Sequence, residues 1–490
     1  MKLCTFAAYM TDYLKQKTAT SFLWNIFDKI GFQVVALFVG IFTARMLSPK
    51  DFGLIGALSI FTHLNSVLVE SGFSAAMVRR KNNKNSEYSA IFFINIALSA
   101  LFYSVLFLSA PFIAGYFKMP ELCKISRYLF LSILINSCGI VPNIILTISL
   151  SFKQISIANI SSAIVSAVVT ILLVFLGYEY WALVWQLLTQ NIVRMGLLWI
   201  FSKWKVSKPD FRIIREVFSF SFFLLLTSIL NTVVKNIYNV VIGKRYTSED
   251  LGYYSQANKF QFIPSCVISS AISGVSYPVL SQLNNEKKRQ LTYFRKIIRI
   301  TAFLIFPVMI ILFSMLEDLI TIVVTEKWLP AIPYFKILTV SAVIFPFHSL
   351  NLNILAVKGY SRIYFRLELL RNFLCIVFLL LVPLSGDSSS NIKNMLIGYS
   401  LANFISYIAD SIYVQKKTSY KVLHQVKDIF PYLAVSLMIY PITKGIKWMD
   451  MGLYLTVFIQ LATVSVFYIG VLKLLGSRIL KDFLSLFKLK

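Results

Sequence analysis

Apolar runs of about twenty residues recur from one end of the chain to the other, each long enough to cross a bilayer as a helix. They predict about fourteen transmembrane helices, at approximately 22–43, 52–70, 89–110, 128–149, 157–176, 180–201, 218–242, 259–280, 297–316, 332–355, 366–384, 394–414, 429–446 and 452–474. The stretch before Ser21 is polar and mixed and does not read as a cleaved leader, so the first run is expected to stay as an anchor. The pattern predicts an all-α polytopic membrane protein.

Two of the polar interruptions echo each other. "LSPKDFGLIG", Leu47 to Gly56, returns some two hundred residues later as "RYTSEDLGYYS", Arg245 to Ser255. Asp51-Phe52-Gly53 corresponds to Asp250-Leu251-Gly252. After each copy come an apolar span, a Ser-Gly-x-Ser, an Asn-Asn and a basic loop: "SGFSAAMVRRKNNK" at 71–84 and "SGVSYPVLSQLNNEKK" at 273–288. The shared order predicts two related six-helix lobes, 1–205 and 206–414, followed by a helix pair and basic tail, 415–490. Six spans per lobe is an even number, so both lobes enter the membrane the same way round, as a parallel repeat about an axis along the membrane normal. Each turn has a local reading too: Pro49 begins a helix, Asp51 caps it, and Gly53 relaxes the backbone.

Composition and charge sharpen this picture. Hydrophobic residues are 57% of the 490, with a mean hydropathy of +0.73, too apolar for a soluble chain of this length. A formal charge of +27 suggests nucleic acid until its distribution is examined. Lysine and arginine collect in alternate connections: Arg79, Arg80, Lys81 and Lys84; Lys203, Lys205, Lys208 and Arg212; Lys287, Lys288 and Arg289; Lys416, Lys417 and Lys421. The intervening connections are short and more acidic, with Glu179, Glu249-Asp250, Glu317-Asp318 and Asp387. That asymmetry is the positive-inside signal and places both termini in the cytoplasm. Some attraction to anionic lipid heads accompanies it; a nucleic-acid partner is not expected.

Polar groups inside spans are costly, and they usually face a bundle interior or a watery cavity. In the first span Asn25, Lys29 and Gln33 fall on one helical face, with Asp28 beside them. In the second, Ser59, Thr62, His63, Ser66 and Glu70 follow helical spacing. In the seventh, Ser228, Asn231, Thr232, Lys235, Asn236 and Asn239 do the same. The first and seventh spans are equivalent members of the repeat, and each carries a lysine, which points to a cleft that handles an anion. Lys29, Lys235, Asn25, Gln33, His63, Asn231, Asn236 and Asn239 are therefore the expected cleft residues, and Asp28, Glu70 and Asp410 the acids available for ion coupling. A plainer reading stands beside each: Lys29 pairing with Asp28 or snorkelling inward, Lys235 snorkelling outward, His63 packing as a hydrogen-bonded core residue. Arg371 and Asp410 read as lying near span ends or just inside them, and "RLELLR", Arg366 to Arg371, as an amphipathic start to the eleventh span.

Enzymatic constellations are missing. Five cysteines without CxxC spacing imply neither a disulfide framework nor a metal site, and three scattered histidines make zinc improbable. No glycine-rich phosphate loop or Walker-type lysine is present, so neither ATP hydrolysis nor any cofactor is expected. A polyprenyl-phosphate glycosyltransferase would need acids in a large outer loop, and every predicted outer loop is shorter than about 20 residues.

"LSPKDFGLIGALSIF", "SGFSAAMVRRKNN", "LGYYSQANKFQFIPS", "VSYPVLSQLNN", "FPFHSLNLNILAVKGYSR" and "FRLELLRN" resemble the polysaccharide transport family of lipid-linked oligosaccharide flippases, the O-antigen, colanic-acid and lipopolysaccharide-type exporters. These belong to the multidrug/oligosaccharidyl-lipid/polysaccharide exporter superfamily. The similarity runs from about residue 15 to about residue 430. It implies two six-helix lobes working by alternating access in a bacterial inner membrane. The implied cargo is an undecaprenyl-diphosphate-linked repeat unit, and the implied partners are membrane lipids and the polysaccharide polymerase machinery. Where many members carry an acid, in the part of the seventh span written here "KNIYNVVIG", this chain has Tyr238 and Asn239, which leaves that spot without a cation-coupling group. The rival within the superfamily is a cation-coupled drug exporter, which needs an acid deep in a lobe.

Overall fold

The computed structural model describes residues 24, 27–70, 77, 83–382, 386–449, 451–477 and 479–482, and of 65, 66, 68–70, 214–224, 226 and 227 the backbone alone. The described residues are helices joined by short connections, with no strand among them. In order these are α1 (Phe27–Met46), α2 (Pro49–Glu70), α3 (Asn85–Phe117), α4 (Glu121–Leu129), α5 (Leu131–Ile148), α6 (Phe152–Phe175), α7 (Tyr180–Ser202), α8 (Arg212–Arg245) and α9 (Ser248–Gln282). They continue with α10 (Lys287–Ser314), α11 (Leu316–Val323), a 3-10 turn (Glu326–Ala331), α12 (Ile332–Val357), α13 (Ser361–Leu381), α14 (Ser388–Thr418), α15 (Val422–Leu437), α16 (Ile439–Lys447) and α17 (Leu453–Leu474). Nine helical segments among the described residues are long and apolar enough to cross a membrane; the full count of fourteen stays an expectation.

The helices form a polytopic membrane protein whose side chains are arranged for lipid. On α6 most buried positions are small or hydroxylic, among them Ala158, Ser162, Ala163, Ser166 and Thr170, with Ile155 and Val174 beside them. Ile164, Val168 and Leu172 on the same helix are about half exposed. Against water that distribution would be costly; against hydrocarbon it costs nothing, and small residues let backbones approach closely. The hydroxyls donate back along the helix, Ser162 to Asn159 O (2.8 Å) and Ser166 to Ala163 O (2.9 Å), so burial leaves them satisfied. α6 packs along α7 through this stripe.

The chain divides into two compact units, Met1–Gly252 and Tyr253–Lys490. In the first, α5 packs on α3 and α7, and α8 lies along α2 and against α3. The division after 205 that the repeat suggests follows span order rather than packing, and it remains a proposal. In the second unit α12 packs against α10 and α14, α13 against α14, and α15 and α16 against α10. One core holds Phe294, Ile298, Phe306 and Met309 of α10 together with Tyr432 and Val435 of α15 and Val464 and Tyr468 of α17. Tyr468 donates its hydroxyl to Phe303 O at 2.9 Å. The last three helices thus share the core of the second unit.

The echoed turns are built alike. Ser48 N and Oγ donate to Asp51 Oδ2 (2.8 and 2.7 Å), and Asp51 N faces Ser48 Oγ. Thr247 N and Oγ1 donate to Asp250 Oδ2 (3.3 and 2.8 Å), and Asp250 N donates to Thr247 Oγ1 (3.1 Å). Both are reciprocal capping boxes with an aspartate in the acidic position. They start α2 and α9, and they pack against each other at Gly53 and Gly252.

Topology is testable on this frame. Reporter fusions after Lys84, Lys208, Lys288 and Lys417 should read cytoplasmic, and those after Lys118, Asp250 and Asp387 external. Two or more reversed positions would break the parallel repeat.

Candidate functional site

In the first unit, α8 lays its polar stripe against α2. Thr232, Asn236 and Asn239 are buried at spacings of four and three, one face of the helix. Asn236 donates Nδ2 to Thr232 O (2.8 Å), which orients its Oδ1 as the acceptor toward α2. There it receives Ser59 Oγ (3.3 Å) and faces His63 Nδ1 at 3.1 Å, so Nδ1 carries the hydrogen. Asn239 donates Nδ2 to Ser59 Oγ (3.0 Å). His63, Asn236 and Asn239, three of the expected cleft residues, therefore form one hydrogen-bonded seam between α2 and α8. His63 remains exposed along one edge and can offer Nε2 to a ligand.

On the same helix Lys235 is exposed and Asn231 half-buried. The stripe thus splits into an inward row of amides and an outward lysine. On α1, Lys29 is exposed and Gln33 half-buried. Asn25 lies outside the described residues, as does the side chain of Glu70.

Asp28 is held by a group that spacing did not suggest. Asn159 of α6 donates Nδ2 to both carboxylate oxygens (3.1 and 3.0 Å) and accepts Arg194 Nε of α7 on its Oδ1 (2.7 Å). The amide bridges acid to guanidinium across three helices and leaves the neighbouring Lys29 ammonium exposed.

Asp410 is fully buried in the second unit, about two turns inside the end of α14. Its Oδ2 is 2.5 Å from His348 Nδ1 of α12. The segment Arg366 to Arg371 is more than an amphipathic start. Its Glu368 and Arg371 turn inward as an ion pair (2.8 Å) beside the same imidazole. A polar ladder continues along α12 and α14, with Asn403 donating to Ser341 (3.1 Å) and Asn351 to Ser411 (3.2 Å). A signal for His348, Glu368 and Arg371 did exist in the sequence. An acid and a base three apart in an apolar helix, and a histidine in another, are too costly in lipid to remain unpaired.

The matches to known proteins agree with this architecture. The profile of the family described as "Polysaccharide biosynthesis protein" matches residues 42–333. The succinoglycan biosynthesis transport protein ExoT of Rhizobium meliloti is 26% identical over 337 residues, covering 68% of each chain. The teichuronic acid biosynthesis protein TuaB of Bacillus subtilis is 27% identical over 60% of this chain and 61% of its own length. The lipopolysaccharide biosynthesis protein WzxC of Escherichia coli is 20% identical over 81% of this chain and 80% of its own. Among solved structures, the lipid II flippase MurJ in an inward closed conformation superposes with a TM-score of 0.75 at 15% identity, covering 92% of this chain and 99% of that one. An inward-facing multidrug resistance MATE transporter of the MOP superfamily gives 0.64 at 14% identity, over 79% and 94%. These two establish the fold. With the family profile extending over more than half of its length, this chain belongs to the polysaccharide biosynthesis protein family.

Proposed function

We propose that the protein moves an undecaprenyl-diphosphate-linked oligosaccharide repeat unit from the inner to the outer leaflet of a bacterial cytoplasmic membrane, for assembly of a surface polysaccharide. Family membership carries this reading, because it joins polysaccharide synthesis to a chain built as a polytopic membrane protein. The names of ExoT, TuaB and WzxC, which join transport or biosynthesis to succinoglycan, teichuronic acid and lipopolysaccharide, support it. No bond is made or broken. The sugar head crosses in a hydrated cleft while the polyprenyl tail stays in lipid. Exposed Lys29 and Lys235 suit the diphosphate, and the seam of His63, Asn236 and Asn239 suits sugar hydroxyls. A head of about two negative charges gains about 2.3 kcal/mol per charge per 100 mV on moving outward, unless the lysines cancel the charge.

A cation-coupled drug exporter shares the fold, and the depth of Asp410 removes one argument against it. Polysaccharide family membership favours the flippase. Deleting the gene should leave lipid-linked repeat units on the cytoplasmic leaflet while their synthesis continues. A strain that stops making the unit would instead favour a glycosyltransferase.

The lysines give a residue-level test. Lys29→Ala and Lys235→Ala should each weaken export without loss of membrane insertion, and arginine should restore more activity than glutamine because charge is what a diphosphate requires. Normal export from the double alanine variant would remove both lysines from the cleft.

A further inference from the structure

Four ionisable side chains outside the expected cleft residues meet inside the second unit. His348 of α12, 5% exposed, lies between Asp410 of α14 and the Glu368–Arg371 pair of α13. Its Nδ1 is 2.5 Å from Asp410 Oδ2. Its Nε2 is 3.1 Å from Arg371 Nη1 and 3.5 Å from Glu368 Oε1. The second Asp410 oxygen is buried and has no hydrogen-bond partner among the described residues.

The chemistry of these contacts defines two states. A carboxylate only accepts, so Nδ1 carries a hydrogen whatever the charge of the ring. Nε2 faces one obligatory donor and one obligatory acceptor. In the neutral ring its lone pair receives Arg371; in the protonated ring its N–H must turn to Glu368. Arg371 is the nearer of the two.

Charge supplies the driving force for the second state. Asp410 and Glu368 outnumber Arg371 by one negative charge, and a proton on His348 cancels the excess. An uncompensated charge in a buried, lipid-surrounded site is strongly unfavourable. The other titratable groups close to the cluster are Tyr399 and Tyr407 of α14 and Tyr364 and Cys375 of α13. α10 also packs on α12, but its Arg295 and Arg299 are committed to Asp428, and the acids of α11 to Lys336 and Lys447. Glu368 is the more accessible carboxylate, its side chain 19% exposed against 0% for Asp410.

We propose that His348 is a proton-binding site whose Nε2 exchanges Arg371 for Glu368 as the proton arrives, and that export is coupled to this exchange. The exchange changes how α13 is held against α12, which makes it an element that a transport cycle can bias. The coupling rests on the export reading; the proton site does not.

Two experiments test the parts separately. The chain has three histidines, so histidine-selective 15N labelling of the full-length protein in lipid nanodiscs yields few ring signals, and His348→Gln identifies the relevant one. That ring should titrate, passing from doubly protonated to the Nδ1–H tautomer as the pH rises. Glu368→Gln should weaken its proton affinity about tenfold and Arg371→Gln should strengthen it by a similar factor, opposite movements that a merely structural role would not produce. A ring that stays neutral throughout, or whose neutral form is the Nε2–H tautomer, overturns the proton site whatever the protein transports.

Coupling is read in proteoliposomes with a lipid-linked oligosaccharide carrying a fluorescent sugar. Wild-type export should respond to an imposed pH gradient and lose that response with a protonophore, while His348→Gln should export at one rate with and without it. A wild type indifferent to the gradient, or a His348→Gln variant that still responds, overturns the coupling. A wild type that fails to export the lipid under any imposed gradient removes the export reading and the coupling with it, and leaves the imidazole titration to decide the proton site.

Discussion

Replacing Gly53 or Gly252 by alanine should separate the starts of α2 and α9 and remove most export. A Cβ on Gly53 would stand 1.7 Å from Ser248 O, and one on Gly252 would stand 1.9 Å from Pro49 O. Both obstacles are backbone carbonyls, so no rotamer change relieves them. The hydrogen that occupies each Cβ position points at the carbonyl of the other turn, a reciprocal pair of Cα–H···O contacts. Overpacking of this kind costs about 1–3 kcal/mol at each site, with the helix starts held further apart. Loss of thermal stability in detergent and of export in cells should appear together for each variant. Gly115→Ala is the control, since a Cβ there meets nothing within 4 Å. An alanine at 53 or 252 that melts and exports like the wild type would mean that the two turns touch without mattering.

Asp428→Ala should loosen the last three helices from the second unit. Asp428 on α15 is 5% exposed. It accepts Arg295 Nε (2.8 Å) and Nη2 (3.0 Å), Arg299 Nε (2.9 Å) and the Tyr420 hydroxyl (2.8 Å). Arg295 and Arg299 stand one turn apart on α10, so a single carboxylate ties two turns of that helix to α15. Removing it leaves two guanidiniums facing each other without a counter-charge. A buried pair broken in this way costs about 3–5 kcal/mol, and the lower end applies because both arginines are about one-third exposed. The melting temperature should fall, and hydrogen exchange should rise first across 422–447. Asp428→Asn, which keeps acceptor geometry without charge, should fall between alanine and wild type. Equal melting of all three would show the network to be dispensable.

Much of this architecture is legible in one dimension because the membrane imposes its demands residue by residue. Each apolar run reports its own preference for lipid, and the two capping boxes act within four residues, so Ser48 with Asp51 and Thr247 with Asp250 can be read from spacing alone. The repeated order of turn, span and basic loop is likewise a property of the string. The polar face of α8 is readable too, since a period of 3.6 places Thr232, Asn236 and Asn239 together before any partner is known.

The sequence by itself determined the all-α membrane class, the places where polarity interrupts the spans, and the echo between the two turns. Only the tertiary structure decided what meets what: Gly53 with Ser248, Asn236 with His63, Asn159 with Asp28, His348 with Asp410. A helix pattern specifies a face but not the rotation and depth at which that face docks. A buried polar group needs some partner, yet many chemically equivalent partners lie within the same slab of lipid. Packing of small residues sets the close approach of helices such as α6 and α7, and that approach selects which amide or carboxylate arrives within 3 Å of which donor.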